Sequence, residues 1–188
     1  MTDVAATSGF GPSALLTPAN AVTIGRLLLS PLLLFFIVDD VGSWPAVTLW
    51  IALAATDGVD GWLARKHGTT RSGAFLDPLA DKILVIGAML VLVAIDVFWW
   101  LPVALVAVRE IAMSVYRSLA SKSGISIPAR SLAKAKTVTQ SVAVGFALLP
   151  PLGAGSRIPD TVLWVAVALT LVSGLQYLVD GKRAARAL

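Results

Sequence analysis

Apolar residues run in long stretches, and most charged residues fall in the short links between them. Six stretches can be drawn, at roughly 20–38, 45–64, 76–96, 99–118, 137–152 and 161–179. Each approaches the ~20 mostly apolar residues a helix needs to cross a bilayer. The other spanning architecture is a closed barrel, whose strands alternate strictly between apolar and polar. Runs such as LLLSPLLLFFIV, residues 27–38, do not alternate. The pattern therefore predicts an all-α integral membrane protein with six transmembrane helices. Residues 1–18 are expected to be a mobile or membrane-surface segment, 19–180 the six-helix domain, and 181–188 a basic cytoplasmic tail.

Composition removes the soluble alternative. The 188-residue chain is 57% hydrophobic and only 14% charged, with a mean hydropathy of +0.83. A soluble domain is nearer ~25% charged. There is no cysteine, which excludes disulfides and thiolate sites. The first basic residue is Arg26, so the basic n-region of a cleaved leader is missing and none is expected.

The basic residues orient the chain, because cytoplasmic links collect Lys and Arg. With the N-terminus in the cytoplasm, one face holds Arg65, Lys66 and Arg71, then Lys122, Arg130, Lys134 and Lys136, then Lys182, Arg183 and Arg186. The outward links hold Arg157 with Asp39, Asp40 and Asp160. Both termini are expected in the cytoplasm and the protein in the cell (inner) membrane. The net charge of +4 then reflects topology and attraction to anionic lipid; no nucleic-acid partner is expected.

Against this background, DGVDGWLARKHGTTRSGAFLDPLAD, residues 57–81, places four carboxylates between two apolar runs. Asp57 and Asp60 are spaced i, i+3 at the end of the second span. Asp77 and Asp81 are spaced i, i+4 at the start of the third. Each pair shares a helix face, so two antiparallel neighbours would aim four carboxylates at one spot. Four like charges repel unless cations neutralise them. Hard oxygen ligands suit Mg²⁺ or Mn²⁺, and two such ions would form a phosphoryl-transfer clamp. Gly58, Gly61 and Ala64 keep one face small, Arg65 can hold a phosphate, and Gly73 suits a tight turn before the third span. Pro78 suits the first helical turn.

These residues resemble the signature of the CDP-alcohol phosphotransferase family. Asp57, Asp60, Gly61, Ala64 and Arg65 match D-x-x-D-G-x-x-A-R, and Gly73, Asp77 and Asp81 match G-x-x-x-D-x-x-x-D. The segment between Arg65 and Gly73 has seven residues, one fewer than is usual, with the deletion expected in KHGT before Thr70. The resemblance implies a six-helix membrane enzyme, a homodimer, whose site opens to the cytoplasm. It implies transfer of a phosphatidyl or related group from a CDP-linked donor to an alcohol, with release of CMP. Asp57, Asp60, Asp77 and Asp81 would hold two divalent metal ions. Asp81 would also be the general base. Gly61, Ala64 and Arg65, with Gly73, would contact the donor, CDP-diacylglycerol.

Three further segments bear on the acceptor. NAVTIGR, with Asn20, Thr23 and Arg26, resembles the first-span motif of family members that use glycerol 3-phosphate, and is assigned to donor binding; Asn20 also suits a helix N-cap. Arg109, Glu110 and Arg117 fall inside the fourth span, where charge is costly and points to a bundle interior or wet cavity. Being adjacent, Arg109 and Glu110 are not expected to share a face, so each should find another partner. AKAKTVTQ, residues 133–140, resembles a G-K-x-K-T-x-x-Q motif of the same members, with Ala133 in place of glycine. Arg71, Arg109, Arg117, Lys134 and Lys136 are thus expected to form a pocket for the phosphate of the acceptor, glycerol 3-phosphate. Phosphatidylglycerol or an inositol phosphate are rival acceptors. From another class, the four aspartates could form the ion site of a divalent-cation transporter, although such sites lie near the membrane midplane.

Overall fold

The computed structural model describes residues 17–67, 71–122, 131–152 and 156–185. Within these, the side chains of 57, 60–67, 71–75, 77, 121, 122, 131, 133 and 182–185 lie outside the description. The described residues form six helices and no strand: α1 (Pro18–Asp39), α2 (Trp44–His67), α3 (Arg71–Ala94), α4 (Trp100–Lys122), α5 (Ser131–Leu148) and α6 (Ile158–Ala185).

Local chemistry sets the ends. Thr17, not Asn20, caps α1: its Oγ1 accepts from the Asn20 backbone N–H at 3.1 Å. Pro18 follows in the first turn, where a missing N–H costs little. Gly42 carries the α1–α2 turn at φ 90°, a backbone conformation that disfavours a side chain. The start of α3 differs from expectation. The helix begins at Arg71, so Gly73 lies within it rather than in a turn, and Pro78 lies in its interior rather than its first turn. Pro78 removes one backbone hydrogen bond, and the long apolar stretch that follows keeps the helix intact beyond it. α6 runs on to Ala185, so most of the basic segment 181–188 extends a helix.

Neighbours along the bundle alternate in direction. Arg26, early in α1, reaches Thr56, late in α2. Trp50, early in α2, meets Ser141 and Gly145, late in α5. α4 and α6 run the same way, since Arg109 meets Ser173 and Arg117 meets Tyr177. One end of the bundle thus gathers the starts of α1, α3 and α5 with the ends of α2, α4 and α6. It is called the basic end below, and the opposite one the acidic end.

α1 packs on both α2 and α3, α5 packs on α6, and α4 joins α6 to α3. Between the helices lies an apolar core that includes Leu33, Ile37, Met89, Leu92, Leu148 and Leu163, each fully buried. The outward faces stay apolar, with Leu28, Phe35, Ile51, Val108 and Leu175 exposed. By length and composition, α1 and Ile158–Gly181 of α6 suffice to cross a membrane, and Trp44–Thr56 is a shorter apolar helix. α3, α4 and α5 interrupt their apolar runs with Asp81 and Lys82, with Arg109 and Glu110, and with Lys134 and Lys136.

Candidate active site

The buried face of α1 is polar toward the basic end and apolar beyond. It carries Asn20, Thr23, Arg26, Ser30, Leu33 and Ile37, a helical spacing of three and four. Arg26 is only 2% exposed. A buried guanidinium is costly unless its donors are satisfied. Here Arg26 Nε donates to Thr56 Oγ1 at 3.2 Å, and Thr56 Oγ1 donates to the Leu53 carbonyl at 2.6 Å. Thr23 and Ser30 return their hydroxyls to the Ala19 and Arg26 carbonyls, at 3.2 and 2.8 Å. They are thereby accommodated in the packed face.

Next to Arg26 lies a cavity of about 540 Å³ between α1, α2, α3 and α5. Arg26, Asp81 and Thr137 form its polar end; Trp50, Leu53, Leu84, Val85 and Phe146 are among its apolar walls. Thus Arg26 of the first-span motif, the last aspartate of the long motif and Thr137 of the K-x-K-T segment converge on one space, whereas Asn20, Thr23, Lys134 and Lys136 do not line it.

The other aspartates follow by register. Ala54 and Ala55 line the cavity from α2, and Asp57 and Asp60 lie on the same helix, about one and two turns closer to the basic end. On α3, Asp77 precedes Asp81 by about one turn. The side chains of Asp57, Asp60 and Asp77 lie outside the described residues, as do those of Gly61, Ala64, Arg65, Arg71 and Gly73. The shortened loop before Gly73 falls partly at 68–70, also outside them. Among the described residues no group of three His, Cys, Asp or Glu could hold a metal. The donor set itself is four carboxylates, and this chemistry fits a hard divalent cation.

The expected phosphate pocket is only partly assembled. Arg109 and Lys136 do come together, around Glu110. Glu110 Oε1 accepts from Arg109 Nη1 at 2.9 Å and from Lys136 Nζ. Arg109 Nη2 donates to Ser173 Oγ at 2.9 Å, and its buried Nε has no partner among the described residues. Adjacency therefore did not keep Arg109 and Glu110 apart: each has a further partner, and the long arginine also curls back to its neighbour. Arg117 and Lys134 do not join this cluster. Arg117 is exposed and stacks 5.6 Å from the Tyr177 ring centroid; Lys134 is exposed, whereas Lys136 is buried. Two positions apart on a helix, the two lysines point about 200° apart.

Sequence reasoning gave no site role to Glu110, Thr56, Ser173 or Gly174. Glu110 did carry a signal, as a charge within an apolar span. Gly174 carried none. A Cβ there would stand 3.1 Å from Arg109 Nε, so its lack of a side chain makes room for the guanidinium. Gln140, within the quoted motif, donates to Thr170 Oγ1 at 3.0 Å and ties α5 to α6 in the buried interior.

Residues 16–172 match the CDP-alcohol phosphatidyltransferase family. The chain belongs to this family and is a phosphatidyltransferase of that class. It is 36% identical over 172 residues to a probable phosphatidylglycerophosphate synthase of Mycobacterium tuberculosis (strain H37Rv), covering 88% of this chain and 81% of that protein. It is 34% identical over 177 residues to the CDP-diacylglycerol–glycerol-3-phosphate 3-phosphatidyltransferase of Bacillus subtilis (strain 168), covering 84% and 91%. The protein of that name from Shigella flexneri serotype 5b is 37% identical over 164 residues, covering 84% and 90%.

Proposed function

We propose that the protein transfers the phosphatidyl group of CDP-diacylglycerol to glycerol 3-phosphate, forming phosphatidylglycerophosphate and CMP. The observation that carries this reading is the convergence of Arg26, Asp81 and Thr137 on one cavity with a mostly apolar wall. A diphosphate headgroup and lipid tails need that combination. The relatives' names supply the acceptor.

In the reaction, the 1-hydroxyl of glycerol 3-phosphate attacks the β-phosphorus of CDP-diacylglycerol. A new P–O bond forms, the bond to the CMP phosphate breaks, and the hydroxyl proton passes to the Asp81 carboxylate. Asp57, Asp60, Asp77 and Asp81 would hold two divalent ions, Mg²⁺ or Mn²⁺, which when bound neutralise the diphosphate. Asn20, Thr23 and Arg26 form the donor side, with Gly61, Ala64, Arg65 and Gly73. Arg26 contributes a fixed positive charge in a water-poor setting, where it acts more strongly than in solvent.

Arg109 and Lys136 form the acceptor-phosphate side. Glu110 holds them in place and offsets part of their charge, leaving one net positive charge in the trio. Arg117 and Lys134 lie further out as a cationic approach to the site, and Arg71, at the start of α3, would add to it.

The basic end faces the cytoplasm, with six spans, both termini on that side and the protein in the cell (inner) membrane. The positive-inside bias supports this. So do Trp99, Trp100 and Trp164, whose rings cluster near the acidic end at 6.2–6.4 Å between centroids, as aromatic residues do at a membrane–water boundary. The enzyme acts as a homodimer.

The test is turnover of labelled CDP-diacylglycerol by the purified full-length protein against glycerol 3-phosphate, phosphatidylglycerol and inositol phosphate. CMP release is expected with glycerol 3-phosphate. Release only with another acceptor would reassign the acceptor, and metal flux in proteoliposomes without CMP release would favour transport instead.

A further inference from the structure

The cavity extends well beyond the space a diphosphate needs. Along α5 and the residue after it, its wall runs from Thr137 to Leu149, with a rise of about 16 Å to the helix end at Leu148 at 1.5 Å per residue. The hydrocarbon thickness of one leaflet is about 15 Å, half of the ~30 Å core. The space is thus an apolar slot about as long as a leaflet is deep, with Arg26 and Asp81 at its head. It is open along one side. Ile51 on α2 and Val138 and Val142 on α5 line it and are still 59%, 62% and 39% exposed. In a bilayer that opening faces lipid.

One side chain reaches from α2 to α5 along the slot. Trp50, 3% exposed, lines it from α2 and donates its indole N–H to the Ser141 carbonyl of α5 at 3.2 Å. The contact depends on Gly145. A Cβ there would stand 3.3 Å from Trp50 Nε1 and 3.6 Å from Cδ1. Gly145 lies eight residues beyond Thr137, or about 12 Å deeper. A straight hydrocarbon chain descending from the headgroup would therefore meet the pinned indole before it had crossed the leaflet.

We propose that this slot takes one acyl chain of the donor lipid, and that Trp50, braced across Gly145, is the residue that sets how long a chain it accepts. The inference rests on the reading of CDP-diacylglycerol as donor and adds a basis for choosing among donors. The occupant follows from the setting: an apolar groove open to lipid, continuous with the site that handles the headgroup, and matched in length to an acyl chain. The hydrogen bond to Ser141 holds the indole as a fixed stop.

The experiment is a competition. The full-length protein in mixed micelles is given glycerol 3-phosphate with equal amounts of dioctanoyl and distearoyl CDP-diacylglycerol, and the two products are weighed against each other by mass spectrometry. Trp50→Leu should raise the long-to-short product ratio several-fold. Gly145→Ala, which makes the indole give by a few tenths of an ångström, should lower it. Val142→Phe, which fills the slot from its open side, should also lower it and provides a second reading if Trp50→Leu fails to fold. Unchanged ratios in variants that still release CMP would overturn the acyl-stop role. If wild type released no CMP from either donor, the transfer reading itself would fall, and the two failures are thus distinguishable.

Discussion

The two halves of the bundle are held together in different ways. Toward the acidic end, Leu33, Ile37, Met89, Leu92, Leu148 and Leu163 fill the interior and leave no charge to satisfy. Toward the basic end, the same helices bury Arg26 and Lys136 and partly bury Glu110 and Arg109, each engaged with another helix or with a neighbour. A packed apolar interior tolerates volume-conserving changes. A buried charge network does not, because removing one partner strands the other. On the proposed reading, one half is a scaffold and the other is the working end.

The largest expected effect lies at the aspartates. Removing divalent ions with a chelator should abolish CMP release, and Mg²⁺ or Mn²⁺ should restore it. Full turnover in excess chelator would break the carboxylate reading. Asp81→Asn should lower kcat by about 10²–10⁴-fold, the usual contribution of a general base, with little change in thermal stability in detergent. Wild-type turnover would remove Asp81 from that role.

A smaller effect is expected one step away from the chemistry. Lys136→Ala should raise KM for glycerol 3-phosphate by about 10-fold or more, the scale of a hydrogen bond to a charged group, while KM for CDP-diacylglycerol moves little. It should also destabilise the protein, because Glu110 loses a partner. Lys134→Ala, on an exposed side chain, should change KM for either substrate by less than Lys136→Ala does. Equal losses for both substrates in Lys136→Ala would make the trio structural only. The least kinetic effect belongs to the scaffold. Leu148→Ala should cost about 2–5 kcal/mol of stability by opening a cavity and leave both KM values near wild type. A change in KM there would erase the distinction between the halves.

Much of the fold was legible because its signals are local. Long apolar runs give helices, and Pro18 after Thr17 marks the start of α1. The start of α3 was misread for the converse reason. By local propensity Gly73 suits a turn and Pro78 a first helical turn, yet the helix begins before both and runs through them, since the loss of one hydrogen bond is smaller than the gain from a continued helix. The aspartate spacing identified the family motif, and the family match agrees with it. The charge cluster around Glu110 was half legible. Arg109 and Arg117 stood out as charges within an apolar stretch, and Lys134 and Lys136 through a motif resemblance. That Glu110 would gather Arg109 and Lys136, while Arg117 turned to Tyr177, depended on how α4 rotates against α5 and α6.

By itself the sequence determined the helical class, the aspartate motif and the uneven distribution of charge. These follow from periodicity and composition, which each segment carries alone. Only the tertiary structure decided that Arg26, Asp81 and Thr137 share one cavity, that Glu110 takes two cations, and that Trp50 crosses to Ser141 over Gly145. The reason is physical. Apart from the pairing of Arg109 with its neighbour Glu110, these contacts join residues at least 26 positions apart, and their geometry is set by helix rotation and crossing, which no local stretch of chain encodes.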